Sequence, residues 1–337
     1  MDRTRWLAIA FGLGICTLPV AAAGWSPKLA AQFLDERQKQ WFAWPGSAKP
    51  GGPCVSCHTG LPYLMVRPAL RQALGETEPT EWETGYRKSL QARVNFRQPK
   101  DLGYEKEPTA SQAIGVEAIF AALLIPSQVS WQRLWDLQVR DGNARGGWNW
   151  FELERDPWEN TDSPFFGSAL IALALKDGNQ DRQRAAALAG YLNTAAPDQP
   201  LQNRLAVLWT ARTLPGAFDA TSRRKWIEEA FSKQSPDGGW SNEALGPWKQ
   251  RPEAVAVKGS ASYPTAFAAY ALLEAGVPAS DPHLVSALAW LRTHQNPESG
   301  YWDGVSMNKR YPAGSMPEQF MRDAATAFAA AALLKAQ

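Results

Sequence analysis

Residues 233–240 read KQSPDGGW, and residues 262–275 read SYPTAFAAYALLEA. The first stretch closes an amphipathic helical pattern with a glutamine, turns on paired glycines and ends on a tryptophan. The second is an apolar helix rich in small residues. The same order occurs twice more. Leu137-Gln138 leads through Asp141-Gly142 to Gly146-Gly147-Trp148 and then to PFFGSALIALALK at 164–176. His294-Gln295 leads to Gly300-Tyr301-Trp302 and then to DAATAFAAAALLK at 323–335. Self-similarity of this kind marks a fold built by repeating one supersecondary unit.

Working outward from these stretches gives an all-α chain of about six helix pairs. Amphipathic outer helices are expected at 27–40, 82–92, 128–139, 180–194, 221–234 and 281–294. Inner helices, rich in Ala and Leu and poor in charge, are expected at 62–75, 111–124, 164–176, 201–214, 262–275 and 323–335. A helix covered on every side has that composition, whereas a helix with one solvated face keeps its charges on that side. No alternating strand pattern competes. Links from inner to outer helices are short, and most links from outer to inner helices are long: 41–61, 93–110, 140–163, 235–261 and 295–322. In a ring of alternating outer and inner helices the long links share one end, where binding residues tend to collect.

The ends and the cysteines bound the cell biology. Arg3 and Arg5 precede an apolar run from Trp6 to Val20, followed by Ala21-Ala22-Ala23. This is the plan of a signal peptide (1–23) cleaved near Ala23, with an uncleaved anchor as the competing reading. The rest, 24–337, is then one helical domain, periplasmic and without a stable membrane span. The net charge of +2 and the absence of a basic stripe exclude nucleic acid as the expected partner. Of the three cysteines, Cys16 leaves with the leader, and Cys54 and Cys57 remain.

Those two stand in Cys54-Val55-Ser56-Cys57-His58, inside the 41–61 link. Two thiols at this spacing with an adjacent imidazole predict covalent attachment of one haem c, with His58 as the proximal iron ligand. A disulfide or half of a zinc site competes. The zinc reading wants further Cys or His ligands, and only His283 and His294 remain. Met316 or Met321 is the expected distal ligand, ahead of Met65 and Met307, because the sixth helix pair closes the ring against the first.

The Gln–Gly–Trp stretches resemble the QW repeats of the squalene–hopene cyclase and protein prenyltransferase superfamily. With the C-x-x-C-H they also resemble bacterial squalene-cyclase-like haem proteins. The resemblance implies an α/α toroid with the haem loop at its mouth, and structural roles for Gln138, Trp148, Gln234, Trp240, Gln295 and Trp302. It does not carry either parent activity over. The D-x-D-D acid motif of the cyclases and the Asp/Cys/His zinc set of the prenyltransferases are both missing.

Glu117, Asp162 and Asp323 are the candidate catalytic carboxylates. A carboxylate facing an apolar cavity has a raised pKa and serves as acid or base. The competing readings are helix capping for Asp162 and Asp323, and a salt bridge from Glu117 to Arg67 or Arg322. Trp148, Trp150, Phe151 and Trp158 suit the 140–163 link to lining a hydrophobic ligand site. Two functions follow. The preferred one is a haem-dependent oxidoreductase acting on a hydrophobic, terpenoid-like ligand. The alternative is an electron-transfer cytochrome with a redox partner protein.

Overall fold

The computed structural model describes residues 24–103, 109–175, 181–210, 212, 214–249 and 251–337. The expected leader at 1–23, with Cys16 and the Ala21–Ala23 cleavage site, lies outside the described residues. The helices run α1 (Pro27–Ala43), α2 (Gly60–Leu74), α3 (Glu81–Arg93), α4 (Thr109–Leu124), α5 (Gln128–Asp136), α6 (Ser163–Ala174) and α7 (Arg182–Ala195). They continue as α8 (Leu201–Thr210), α9 (Ala220–Ser232), α10 (Asn242–Leu245), α11 (Ser262–Glu274), α12 (Pro282–Thr293) and α13 (Phe320–Lys335). Among the described residues there is no strand, only isolated bridges Arg155–Glu159 and Gln295–Trp302. No described helix is long and apolar enough to cross a membrane.

This is the α/α toroid that the repeats imply. The inner helices α4, α6, α8, α11, α13 and α2 pack in that succession, and each outer helix lies against an inner one. Packing is sparsest at the seam between α2 and α4. Burial separates the two layers as composition predicts. In α11 every residue from Ser262 to Ala269 is buried, whereas α9 buries only Trp226 and Ala230. Outer helices start on side-chain caps: Asp181, Asp219 and Asp281 accept from the backbone N–H of Arg184, Ser222 and His283.

The Gln–Gly–Trp stretches are the joints of the ring. Gln138 Nε2 donates to Gly146 O and to Arg184 O at the start of α7. Gln234 Nε2 donates to Gly238 O and to His283 O at the start of α12. Gln295 Nε2 donates to Gly300 O and to Ser26 O, the N-cap residue of α1. Each glutamine thus ties its own glycine turn to the next outer helix, and Gln295 closes the circle. Each tryptophan is fully buried and donates its indole N–H back to the helix it follows: Trp148 to Leu134 O, Trp240 to Ala230 O, Trp302 to Leu291 O. Its backbone N–H donates to a hydroxyl on the next inner helix, from Ser168, Thr265 and Thr326. Glycine is required where the turn touches the neighbouring helix. Gly300 has φ +78°, and a Cβ there would stand 2.3 Å from the backbone of Leu29.

Local details differ from expectation. Asp162 occupies the N-cap position of α6 without accepting a capping bond. Asp323 lies inside the first turn of α13, not ahead of it, because the helix begins at Phe320. The histidines outside the C-x-x-C-H are structural. His283 stacks on Phe231 with centroids 4.1 Å apart, and His294 stacks on Trp290 at 3.6 Å.

Candidate active site

The segment between α1 and α2 is held at both ends by buried ion pairs. At one end Arg93, fully buried on α3, donates to Gly52 O (2.7 Å) and Pro53 O (3.3 Å) and pairs with Glu117 Oε1 on α4 at 3.0 Å. At the other, Arg37 on α1 pairs with Asp323 Oδ1 at 2.6 Å, and Thr59 Oγ1 donates to Asp323 Oδ2 at 2.8 Å. Between these anchors Trp41 Nε1 donates to Cys54 O. Ser56 Oγ accepts the N–H groups of Thr59 and Gly60 and so starts α2. Two of the sequence-selected carboxylates therefore act as anchors. Glu117 answers Arg93; Arg67 instead pairs with Asp35 and Glu76, and Arg322 with Asp303 and Glu318.

The pinned segment delivers His58 to the end of the ring where the long links meet. Its ring stacks on Phe320 with centroids 3.8 Å apart at 24°, and Trp158 lies 5.9 Å away. Its Nδ1 is 3.4 Å from Ser56 Oγ, and its Nε2 is 4.0 Å from Glu159 Oε1. Burial, helped by Arg155 and Arg37, lowers its pKa to about 3, so the imidazole is neutral. Cys54 and Cys57 are free thiols. Burial, reinforced by Glu117, pushes Cys54 up to about 11, and burial with Glu159 pushes Cys57 well above the ordinary thiol range.

Glu159 is the residue that sequence reading missed. It sits on a tight turn: Glu159 N donates to Arg155 O, and Glu159 O accepts from the N–H of Leu153 and Arg155. Burial raises its carboxyl above the ordinary range, against the opposing pull of Arg155. Asp156, on the same turn, accepts from Asn160 Nδ2 (2.7 Å) and Lys249 N (3.2 Å), and Asn308 clamps its backbone. The aromatic character of the 140–163 link was the available signal, since Trp158 adjoins Glu159. The link divides its aromatics. Trp148 and Trp150 pack inward, and Phe151 and Trp158 face cavities.

Two cavities meet at this point. The first, about 220 Å³, lies at the seam between the 54–58 segment and α4 and is walled largely by apolar side chains. The second, about 190 Å³, is bordered by Arg155, Asp156, Ser306, Asn308 and Lys309. Trp44, His58, Glu159 and Phe320 border both. Asp162 borders neither; its carboxyl is raised by burial and by Asp156. Met321 borders the second cavity, whereas Met316 turns its sulfur to Arg37 Nη2 at 2.9 Å.

No protein-family model matches the chain, and no curated protein matches it. Solved structures do. The α-1,6-mannanase GH76A of Salegentibacter sp. HEL1_6 is 12% identical, covers 92% of this chain and 100% of its own, and superposes with a TM-score of 0.52. An inactive variant of it, with two consecutive aspartates replaced, in complex with α-1,6-mannotetrose, is 13% identical over 92% and 99% of the chains with a TM-score of 0.51. At this identity the likeness establishes the fold.

These findings correct the expected family and cofactor. The solved structures named above are mannanases, neither cyclases nor haem proteins, and what the Gln–Gly–Trp repeats share with them is the ring architecture. The haem c reading on Cys54, Cys57 and His58, with Met316 or Met321 opposite, falls with the expected family, as do the oxidoreductase and electron-transfer functions. Among the described residues no group of three or more His, Cys, Asp or Glu side chains could hold a metal. Phe320 covers one face of the His58 ring, and Nε2 lies 4.0 Å from Glu159 Oε1.

Proposed function

We propose that the chain is a glycoside hydrolase, exported to the periplasm, with its active site on the 155–159 turn at the mouth of the toroid. The observation that supports this most is Glu159: a carboxyl whose pKa is raised by burial, at the junction of two cavities, beside Trp44 and Trp158. Sugars offer apolar faces that stack on such rings, and hydrolysis of a glycosidic bond needs a proton donor paired with a second carboxylate. Glu159 gives its proton to the glycosidic oxygen as the carbon–oxygen bond breaks. Water adds to the anomeric carbon and loses its proton to Asp156.

The fold neighbours suggest where to look for substrate, since they are named for α-1,6-mannan and one holds an α-1,6-linked mannose oligosaccharide. The replaced aspartates of that inactive variant are consecutive. This chain contains no adjacent pair of aspartates, so its carboxylates come from a different arrangement. Glu117 and Asp323 are anchors in this scheme, and Asp162 stands behind Asp156.

The test is hydrolysis of α-linked manno-oligosaccharides, with other α-linked glycans beside them. Glu159→Gln and Asp156→Asn are expected to lower kcat by roughly 10²–10⁴-fold with the fold intact. A wild-type protein that neither cleaves nor binds any of these glycans, nor any α-glycoside of a simple alkyl or aryl alcohol, overturns the proposal. N-terminal sequencing of the secreted protein checks export, with Gly24 expected first.

A further inference from the structure

The two cavities that meet at Glu159 differ in kind. On one side the walls are Trp41, Val55, Leu102, Val116, Phe151 and Leu153. On the other Arg155, Asp156, Asn308 and Lys309 stand beside Trp158, Pro317 and Met321, a mixed wall more polar than the first. A ligand that fills both must be apolar at one end and rich in hydroxyls at the other, with its junction beside Glu159 and His58. An oligosaccharide of uniform polarity would set most of its hydroxyl groups in the first cavity against apolar wall, beyond what Thr109 and Glu117 there can answer, which is costly. The apolar cavity lies between the 54–58 segment and α4, and the Arg93–Glu117 pair holds the loop that forms its wall.

We propose that the substrate is a glycoside with an apolar leaving group, an alkyl, isoprenoid or aryl alcohol, seated between the 54–58 segment and α4, with its sugar in the polar cavity. This rests on the hydrolase reading and names its substrate class. The step balances without a further reactant. The bond between the anomeric carbon and the aglycone oxygen breaks, Glu159 protonates that oxygen, and water supplies the hydroxyl of the released sugar. The products are a free sugar and an apolar alcohol. Each methylene buried in the cavity tightens binding about fourfold. A hexyl chain, with five more methylenes, is therefore expected to bind on the order of 1000-fold more tightly than a methyl group on the same sugar.

The experiment compares methyl and hexyl α-mannosides in two ways. KM is measured on the wild type, and calorimetric binding is measured on Glu159→Gln, which needs no turnover. Both are repeated with Ala113→Phe and Leu153→Trp, which fill the cavity from α4 and from the loop. The expected result is a hexyl preference of about 1000-fold that falls to a few-fold in either filled variant. Equal affinity for the two glycosides, or a preference that both filled variants keep, overturns the inference while leaving glycoside hydrolysis standing. Tight hexyl binding that the filled variants abolish, without hydrolysis of any glycoside, upholds the apolar seat and sinks the hydrolase reading.

Discussion

At the scale of single residues, His58 and the two cysteines are defined by what surrounds them. His58 has a folded-state pKa of about 3 against an ordinary value of 6.5. As pH falls below 6.5 the unfolded chain takes up a proton that the folded protein refuses. Stability that is full above 6.5 is therefore lost as pH falls towards 3, by about 1.4 kcal/mol per pH unit. Glu159 works in the opposite sense. Its raised carboxyl favours the folded state below its ordinary value of 4.5 and loses that contribution as pH rises. Denaturant titrations of wild type and His58→Gln from pH 7 to 5 separate the two. The wild type is expected to lose stability faster, and parallel curves would refute a buried neutral imidazole. The thiols make a second prediction. With Cys54 raised from 9.0 to about 11, its thiolate fraction at pH 8 is roughly 100-fold below that of an ordinary cysteine. Both thiols should resist iodoacetamide in the native protein and react readily in urea. This is also where local spacing misled. Cys54-Val55-Ser56-Cys57-His58 fixes which side chains stand together, but not that the imidazole rests on Phe320 and faces Glu159, residues that only ring closure brings near.

At the scale of elements, the sequence was legible wherever a whole face or a local cap decided the outcome. The six inner and six outer helices fall within a few residues of their expected ranges, because burial on one face or all round is written in composition over several turns. The ends were less legible. The expected helix at 128–139 stops at Asp136, since Gln138 leaves the helix to hold the glycine turn. A charge within an apolar helix was a true signal at Glu117, but its meaning depended on Arg93, a partner from another helix. That pair carries the third prediction. Arg93→Met removes the charge and two bonds to the loop and leaves Glu117 buried without its hydrogen-bonded partner, at a cost of about 3–5 kcal/mol. Loss of loop tethering should also speed alkylation of Cys54 in the native protein. Arg93→Met with Glu117→Met should recover much of the stability but not the protection of Cys54, because Gly52 O and Pro53 O stay untethered. If both recover together, the arginine holds only its charge partner and not the loop.

At the scale of the whole molecule, the ring is a chain of equivalent joints, of which one differs in kind. Gln138 and Gln234 join outer helices that follow each other closely, whereas Gln295 joins α12 to the start of α1 across the length of the sequence. Gln295 makes three bonds there: it accepts from Ser26 N at 2.6 Å and donates to Ser26 O and Gly300 O. Trp25 adds a ring contact with Trp302, centroids 6.1 Å apart, and Phe33 one with Tyr301. At about 1 kcal/mol net for each hydrogen bond, Gln295→Ala and Gln234→Ala should each destabilise by roughly 2–3 kcal/mol. Their local consequences should differ. Gln234 binds two helices already fixed on either side, so its loss leaves both in place. Gln295 holds the first residues of the described ring, and without it the first turn of α1 keeps only the ring contacts of Trp25 and Phe33 beside the packing of α1 on α2 and α13. Hydrogen exchange should therefore show the amides of residues 29–33 losing protection in Gln295→Ala while α9 and α12 keep theirs in Gln234→Ala. The effect should stop short of Arg37, whose pairing with Asp323 binds the middle of α1 to α13 independently of the joint. Protection lost along all of α1 would mean that the glutamine joint, and not that ion pair, is what closes the toroid.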